Sequence, residues 1–197
     1  MIQWFKVGAI AAMISNLGFC LSVQALPGDL IDDVASWIEA NPTFRGSMIN
    51  NLKVTRYNTA AQKLTFEASA YSPTRINEKP SGLVRSEKLH FFDVTNGVTV
   101  GRLTEALRTV YGVNIHQDFA RAREVYSYPD INTLNRAKRE NLPILAAQQG
   151  RLLEGDRFAY WVEVVKSNQQ TDFATRGHIT VLEKGDLAAL ENQLSSR

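Results

Sequence analysis

Cysteine is almost missing from this sequence. The 197 residues include one cysteine, Cys20, which lies in the apolar N-terminal segment. A chain without a second cysteine forms no internal disulfide, and residues 26–197 have no thiolate nucleophile and no cysteine ligand for a metal. Internal repeats and low-complexity tracts are also lacking, which excludes repeat architectures.

Charge of one sign is not in excess either. The chain has 22 lysines and arginines, 20 aspartates and glutamates and a formal net charge of +2, and Lys6 is the only charged residue before Asp29. A nearly neutral protein has no global field that would hold nucleic acid or an anionic membrane. We therefore expect no nucleic-acid partner, and the expected partner is an unidentified protein or small molecule.

Motifs for catalysis and cofactor binding are missing as well. The sequence has no Gly-x-Ser-x-Gly motif and no phosphate-binding loop of the Gly-x-x-x-x-Gly-Lys-Ser/Thr type. Gly97 and Gly101 precede a predicted helix, but a dinucleotide loop needs a third glycine and a βαβ unit. We therefore expect no cofactor, and the sequence identifies no catalytic residue.

Three histidines, His90, His116 and His178, are the remaining candidates for metal or acid–base chemistry. A metal site needs three or four ligands that converge. His90 and Asp93 would point to opposite faces of a strand, and His116 and Asp118 would share a face only in extended chain. The spacing predicts no metal site.

The N-terminal segment is the most informative feature that is present. An apolar run over residues 7–23 follows Lys6, and small side chains precede the bond between Ala25 and Leu26. These are the parts of a secretory signal peptide. We therefore expect a signal peptide over residues 1–25, cleaved after Ala25, and one globular domain over residues 26–197.

Two alternatives for this segment stay open. A retained anchor needs about 20 strongly apolar residues, and the run over residues 7–23 is marginal because it contains Asn16. A lipoprotein attached at Cys20 would need a small residue where Phe19 stands. Cleavage predicts a protein of the periplasm or the thylakoid lumen, whereas an uncleaved segment predicts membrane association.

Hydrophobic spacing predicts helices, and alternation of apolar and polar residues predicts strands. The expected helices cover residues 29–40, 100–111, 117–122 and 131–141 and a C-terminal segment, with caps from Asp29, Asp130 and Asp186 and an end at Gly112. The expected strands cover residues 52–59, 63–71, 84–94 and 175–184, together with a hairpin over 150–166 and an extended piece over 124–128.

The order of these elements predicts an α+β fold. Runs of strands separated by helices favour a mostly antiparallel sheet, which we expect to have five or six strands with helices packed mainly on one face. The strand that contains Trp161 is apolar on both sides, so we expect it to be central and covered. A cystatin-like or NTF2-like arrangement, in which a curved sheet wraps a helix, is compatible with this order. Trp37 and Trp161 are expected in the core.

One local cluster suggests a binding surface. Arg121, Arg123, Tyr126 and Tyr128 follow each other closely, and Arg108 lies upstream. Arginine and tyrosine are enriched at binding surfaces. The alternative is a solvated arginine-rich face on which the tyrosines cover the edge of the sheet.

The stretch LPGDLIDDVASWIEANPTFRG at residues 26–46 resembles the start of small exported cyanobacterial proteins of unassigned function. The resemblance covers about 25 residues from the end of the predicted signal peptide and implies a periplasmic or thylakoid-lumen setting. It implies no catalytic residues.

Three function classes therefore remain for this sequence. We favour an exported, non-catalytic binding or accessory protein, because no reactive constellation is visible. A subunit anchored to a membrane complex by an uncleaved N-terminal helix is the second class. The third is a hydrolase whose site is assembled only by the fold, with His90, His116 or His178 as the acid–base group.

Overall fold

A computed structural model describes residues 25–74, 81–166 and 174–196. These residues form one antiparallel sheet of eight strands with the order β1-β2-β3-β4-β8-β7-β6-β5. The strands are β1 (Met48–Asn50), β2 (Lys53–Thr59), β3 (Gln62–Ser69), β4 (Ser86–Asp93), β5 (Arg123–Tyr128), β6 (Gln148–Glu154), β7 (Ala159–Lys166) and β8 (Ala174–Leu182). The helices are α1 (Ile31–Ala40), α2 (Val100–Tyr111), α3 (Val113–Arg121), α4 (Ile131–Arg139), α5 (Ile144–Ala147) and α6 (Leu187–Ser195).

The α+β class and the antiparallel sheet are confirmed, but the prediction of five or six strands is wrong. Strand β1 has three exposed residues, so it carries no alternation that a sequence pattern would show. Strand β5 was expected only as an extended piece, and a register shift between Glu124 and Tyr126 interrupts its alternation. Both strands lie at the edges of the sheet.

The last strand joins the two halves of the sheet. Strand β8 pairs with β4 on one side and with β7 on the other, so the C-terminal part of the chain closes the structure. Strand β7 lies between β6 and β8, and its residues from Ala159 to Glu163 are buried. The expected central position of this strand is therefore confirmed.

Helices α1, α2 and α3 cover one face of the sheet, which we call the helix face. Val34, Ile38, Leu103, Leu107 and Ile115 from these helices are fully buried there. The strands contribute Phe66, Leu89, Ile179 and Val162 to the same core, and the register places these four residues side by side. Burial of this apolar surface is the main stabilising contribution to the fold.

The second face, which we call the polar face, carries His90, Trp161, Glu163 and His178. Near Leu182, Leu190 and Leu194 of α6 pack on this face. Helices α1, α2 and α3 thus pack on the helix face and α6 on the polar face, while α5 contacts β6 and β7.

The helix ends test the predicted caps. Asp130 accepts hydrogen bonds from the backbone of Asn132 and Thr133, and Gly112 has φ 79° where α2 ends, so both predictions are confirmed.

Asp29 does not cap α1; it accepts a hydrogen bond from the backbone of Leu26 at 3.0 Å. Asp186 does not cap α6, because Arg85 binds its carboxylate at 2.8 Å. A backbone group three residues away binds the carboxylate of Asp29, and a tertiary partner binds that of Asp186.

Candidate functional site

The strand register aligns the side chains of the polar face in rows. Paired residues of antiparallel strands share a face, so a chain of pairs makes a continuous row across the sheet. The first row contains Tyr128, Gly150, Glu163, His178, His90 and Thr65. The second row contains Tyr126, Leu152, Trp161, Thr180, Lys88 and Glu67. The two rows lie next to each other.

Glu163 is the centre of the first row. Its buried carboxylate accepts hydrogen bonds from the hydroxyl of Tyr128 at 2.5 Å and from the amide Nε2 of Gln148 at 2.6 Å. The indole Nε1 of Trp161 donates to the Tyr128 hydroxyl at 2.8 Å. Hydrogen bonds to a charged acceptor are among the stronger ones in proteins, so this network fixes four side chains on the polar face.

Gly150 makes this network possible. It stands between Tyr128 and Glu163 in the first row, and a Cβ atom placed on it would lie 2.2 Å from Cζ of Tyr128. The missing side chain leaves the space that the tyrosine ring occupies beside β6. A glycine inside a strand often marks such a close approach.

His178 lies against the other side of Glu163. Its Nδ1 is 3.8 Å from Oε1 of Glu163, and its ring meets the ring of Trp161 edge-to-face at 4.6 Å between centroids. His90 is its neighbour on β4, and burial, followed by the charges of Lys88, Lys63 and Arg176, lowers the pKa of His90. His178 therefore lies beside Glu163 and Trp161, and His90 lies beside His178.

A pocket of about 340 Å³ opens on the second row of the polar face. The floor includes Thr180, whose side chain is buried with 2% of its surface exposed. Its hydroxyl has no hydrogen-bond partner in the described part of the chain. The lining is completed by Glu67, Ser69, Tyr71, Ser72, Pro73, Ser86, Lys88 and Trp161. We call this cavity the Thr180 pocket.

Two charged side chains, Glu67 and Lys88, line the Thr180 pocket. Glu67 forms an ion pair with Lys53 at 3.1 Å, which offsets its charge at the outer end of the row. Lys88 stands next to Thr180 in the register, and its Nζ lies 5.4 Å from the centre of the Trp161 ring. The pocket therefore combines an ammonium group, an indole ring and a buried hydroxyl.

The helix face has a second cavity, which is larger than the Thr180 pocket and is lined by different residues. A groove of about 580 Å³ runs between α1 and the junction of α2 and α3. The rings of Trp37 and Tyr111 lie along it, stacked at 6.2 Å with an angle of 13° between their planes. Trp37 is only partly buried, so it contributes to the core and to the groove at once. We call this cavity the aromatic groove.

Glu87 lies behind the aromatic groove, fully buried on the helix face. Its burial raises the pKa to about 8; a hydrogen bond from Tyr111 lowers it in part, and the charge of Asp29 raises it further. Burial also raises the pKa of the Tyr111 hydroxyl well above its usual value. Glu87 is therefore a neutral carboxylic acid at neutral pH and contributes no charge to the groove.

The structure brings together only part of the predicted binding cluster. Tyr126 and Tyr128 lie on the polar face with their rings 6.0 Å apart, and Arg123 on the same strand pairs with Glu154 at 2.7 Å. Arg108 is on α2, where it pairs with Glu105, and Arg121 is in the last turn of α3. A single surface made of all five residues stays a prediction.

The sequence predicts that His90, His116 and His178 form no metal site, and the structure gives their surroundings. His90 and Asp93 are on opposite faces of β4, and His116 and Asp118 are on α3 rather than in extended chain. Asp118 instead accepts hydrogen bonds from the backbone of the turn after β6 and from the hydroxyl of Tyr160. Within residues 25–74, 81–166 and 174–196, no three histidine, aspartate or glutamate side chains are placed to hold a metal ion.

The predicted signal peptide lies outside the described residues except for Ala25. Ala25 and Leu26, which flank the expected cleavage bond, are both buried. No helix in the described ranges combines the length and the apolar character that crossing a membrane requires. Cleavage after Ala25 stays a prediction.

Comparisons with known proteins provide no further assignment, since no family model, no curated protein and no solved structure matches this chain.

Sequence reasoning missed the residues at the centre of the polar face. Glu163 is the only charged residue on its side of an otherwise apolar strand, and that pattern could have singled it out. Thr180 and Gly150 gave no such signal, because their roles depend on which residues lie beside them on neighbouring strands. The register, which the sequence does not reveal, defines this site.

Proposed function

We propose that this protein is an exported, non-catalytic binding protein whose ligand occupies the Thr180 pocket. The observation that carries the proposal is the buried Thr180 hydroxyl, which has no partner in the described residues although it lines a cavity. A buried polar group without a hydrogen bond costs about 1–3 kcal/mol. Because the oxygen itself is buried, a ligand reaches it when the side chains around it shift, and a hydrogen bond formed there would offset that cost.

The chemistry of the pocket favours a small anionic ligand. Lys88 and Thr180 both line the pocket, and an ammonium group and a hydroxyl both donate hydrogen bonds to an anion. A volume of about 340 Å³ is at the lower end of the range for small-molecule sites. We therefore propose a compact ligand with a carboxylate or phosphate group, bound against the edge of the Trp161 ring.

The neighbouring network supports binding rather than catalysis. A general base must reach the proton that it removes, but Glu163 already accepts hydrogen bonds from Tyr128 and Gln148. These bonds hold the wall of the site in one conformation. A rigid wall lowers the entropic cost of binding.

Export is the second part of the proposal. It is supported by the apolar run over residues 7–23 and by the resemblance of residues 26–46 to exported cyanobacterial proteins. A cystatin-like or NTF2-like arrangement also stays a prediction, supported by an antiparallel sheet with helices on one face. N-terminal sequencing of the native protein tests export, because a chain that starts at Leu26 has been cleaved and one that starts at Met1 has not.

Calorimetric titration with inorganic phosphate and with citrate tests the pocket. We expect the wild-type protein to bind at least one of these anions, Lys88→Gln to abolish binding and Thr180→Val to weaken it about tenfold, as expected for loss of a hydrogen bond to a charged group. Lys63→Gln is the matched control, because Lys63 alternates with Thr65 and Glu67 on β3, lies on the same face and is outside the pocket.

Two results would contradict the proposed site. The wild-type protein could bind neither anion, which would remove the anionic ligand. Alternatively, Lys88→Gln and Lys63→Gln could weaken binding equally, which would mean that the anion senses the general charge of the face and not the pocket.

A further inference from the structure

Helices α4 and α5 form a short helical hairpin whose turn exposes apolar side chains. Leu142, Pro143 and Ile144 are consecutive and exposed, and Ile144 has 78% of its surface accessible, more than any other large apolar residue in the described ranges. Leu142 is 42% exposed. We call these three residues the α4–α5 tip.

The backbone holds the tip in this exposed position. Asn141 has φ 52°, and the backbone N–H of Leu142 donates to the carbonyl of Ala137 at 2.9 Å. This left-handed residue with a hydrogen bond back to the last helical turn is a Schellman motif, a stable helix end. The N–H groups of Leu145 and Ala146 then bond to the carbonyls of Leu142 and Pro143. Exposure of the tip is therefore part of the fold.

Cations stand directly beside the tip. Arg136, Lys138 and Arg139 are exposed in the last turn of α4, and Glu140 is the only acidic residue between them and the tip. The helix dipole favours cations at a C-terminal end, which accounts for their position. It does not account for three exposed apolar residues next to them.

We propose that the α4–α5 tip docks on an anionic lipid surface. Apolar side chains enter the interface between head groups and acyl chains, and arginine and lysine beside them pair with anionic head groups. The patch offers both halves of this chemistry within residues 136–144. This surface goes beyond the Thr180 pocket and does not depend on it.

The small number of apolar side chains and cations in this patch determines how strongly it binds a lipid surface. The chain as a whole is nearly neutral, with a formal net charge of +2, so no global field assists. Three apolar side chains and three cations give weak, reversible binding, and salt should reduce it because exposed charges are screened within about 10 Å at moderate salt.

A fluorescent label at the tip tests docking in the full chain. In a Cys20→Ser background, Ile144→Cys carries an environment-sensitive dye, and Met48→Cys carries the same dye on β1 as the matched control, because Met48 is 61% exposed. The probes are vesicles of phosphatidylcholine with and without phosphatidylglycerol. The control position separates insertion of the tip from attachment by the N-terminal segment.

We expect the dye at residue 144 to shift to shorter wavelength with anionic vesicles only, and the dye at residue 48 to stay unchanged. Changing Arg136, Lys138 and Arg139 to glutamine should weaken binding about a hundredfold, at about 1 kcal/mol per cation. No shift at residue 144, equal shifts at both positions, or equal shifts with neutral and anionic vesicles would each overturn the proposal.

Discussion

Two buried glutamates, one on each face of the sheet, have opposite environments. Glu87 on the helix face is fully buried, and burial raises its pKa to about 8 with Tyr111 as its hydrogen-bonding neighbour. Glu163 on the polar face is also buried, but Tyr128 and Gln148 donate hydrogen bonds to it and His178 stands beside it. The carboxyl group of Glu87 is removed from water by burial. The carboxyl group of Glu163 accepts hydrogen bonds from protein side chains in place of water.

The difference shows how the two faces divide their roles. On the helix face, aromatic and aliphatic packing excludes water, and an acid there keeps its proton. On the polar face, donors are arranged around a carboxylate, which costs conformational entropy and requires a glycine at position 150. A buried polar network whose members are hydrogen-bonded rigidifies the structure around it. The helix face stabilises the fold, and the proposed binding site lies on the polar face.

The largest expected effect concerns the proton on Glu87. Between pH 4.5 and about pH 8 the unfolded chain loses this proton while the folded protein keeps it, so stability falls as the pH rises through this window. We expect the difference in free energy of unfolding between wild type and Glu87→Gln to change by about 4 kcal/mol across the window. Urea denaturation at several pH values measures it. Glu67→Gln is the exposed control, and parallel curves for wild type and Glu87→Gln would contradict the assignment.

The same substitution at both glutamates sharpens the comparison. Glu163→Met leaves the Tyr128 hydroxyl and the Gln148 amide without their acceptor, and we expect a loss of about 3 kcal/mol. Glu87→Met removes a desolvated carboxyl group but also the hydrogen-bond partner of the buried Tyr111 hydroxyl, so we expect a smaller loss, about 1 kcal/mol or less at pH 8. Chemical denaturation of both variants at that pH checks this. Equal losses would show that the two environments do not differ.

Gly150 tests the geometry of the polar face. Alanine at this position would put Cβ against the Tyr128 ring, and we expect Gly150→Ala to cost about 2 kcal/mol through overpacking. Gly101 in α2 is the matched control, because the nearest atom to an added Cβ there is 3.8 Å away and alanine favours helix. Thermal unfolding should therefore move in opposite directions for the two variants. An unchanged Gly150→Ala protein would mean that the ring is not held beside β6.

Thr180 gives the smallest expected effect on stability. Thr180→Val removes a buried hydroxyl that has no partner in the described residues, so we expect stability to rise by about 1 kcal/mol. In Thr104→Val, the control, the hydroxyl that is lost donates to the carbonyl of Val100 at 2.9 Å, and no gain is expected. A variant that is more stable but binds less well is the mark of a residue retained for binding. Destabilisation by Thr180→Val would show that its hydroxyl supports the fold.

Local chemistry made part of this architecture predictable. The apolar spacing of α2 and its end at Gly112, the cap at Asp130 and the two-sided apolar character of β7 are all set by neighbouring residues. Strand bounds over residues 52–59 and 63–71 also agree with β2 and β3 to within two residues. The short helix expected over 117–122 begins earlier, at Val113, because Gly112 separates it from α2.

The remainder depends on distant partners. Asp186 looks like a helix cap in the sequence, but Arg85, which is 101 residues away, binds its carboxylate. Strands β1 and β5 form because they pair with β2 and β6, and not because their own residues alternate between apolar and polar. The candidate site is the extreme case, since Thr180 and Lys88 are far apart in the chain and become neighbours only through the pairing of β4 with β8.

The most direct test uses the two indole groups that mark the two faces. Trp161 lies in the wall of the Thr180 pocket, and Trp37 lies along the aromatic groove. Their Nε1–H signals in NMR spectra, assigned with Trp→Phe variants, report separately on each cavity. On addition of citrate or phosphate we expect the Trp161 signal to shift and the Trp37 signal to stay in place. A shift of Trp37 alone would place the binding site on the helix face and contradict the division of roles between the faces.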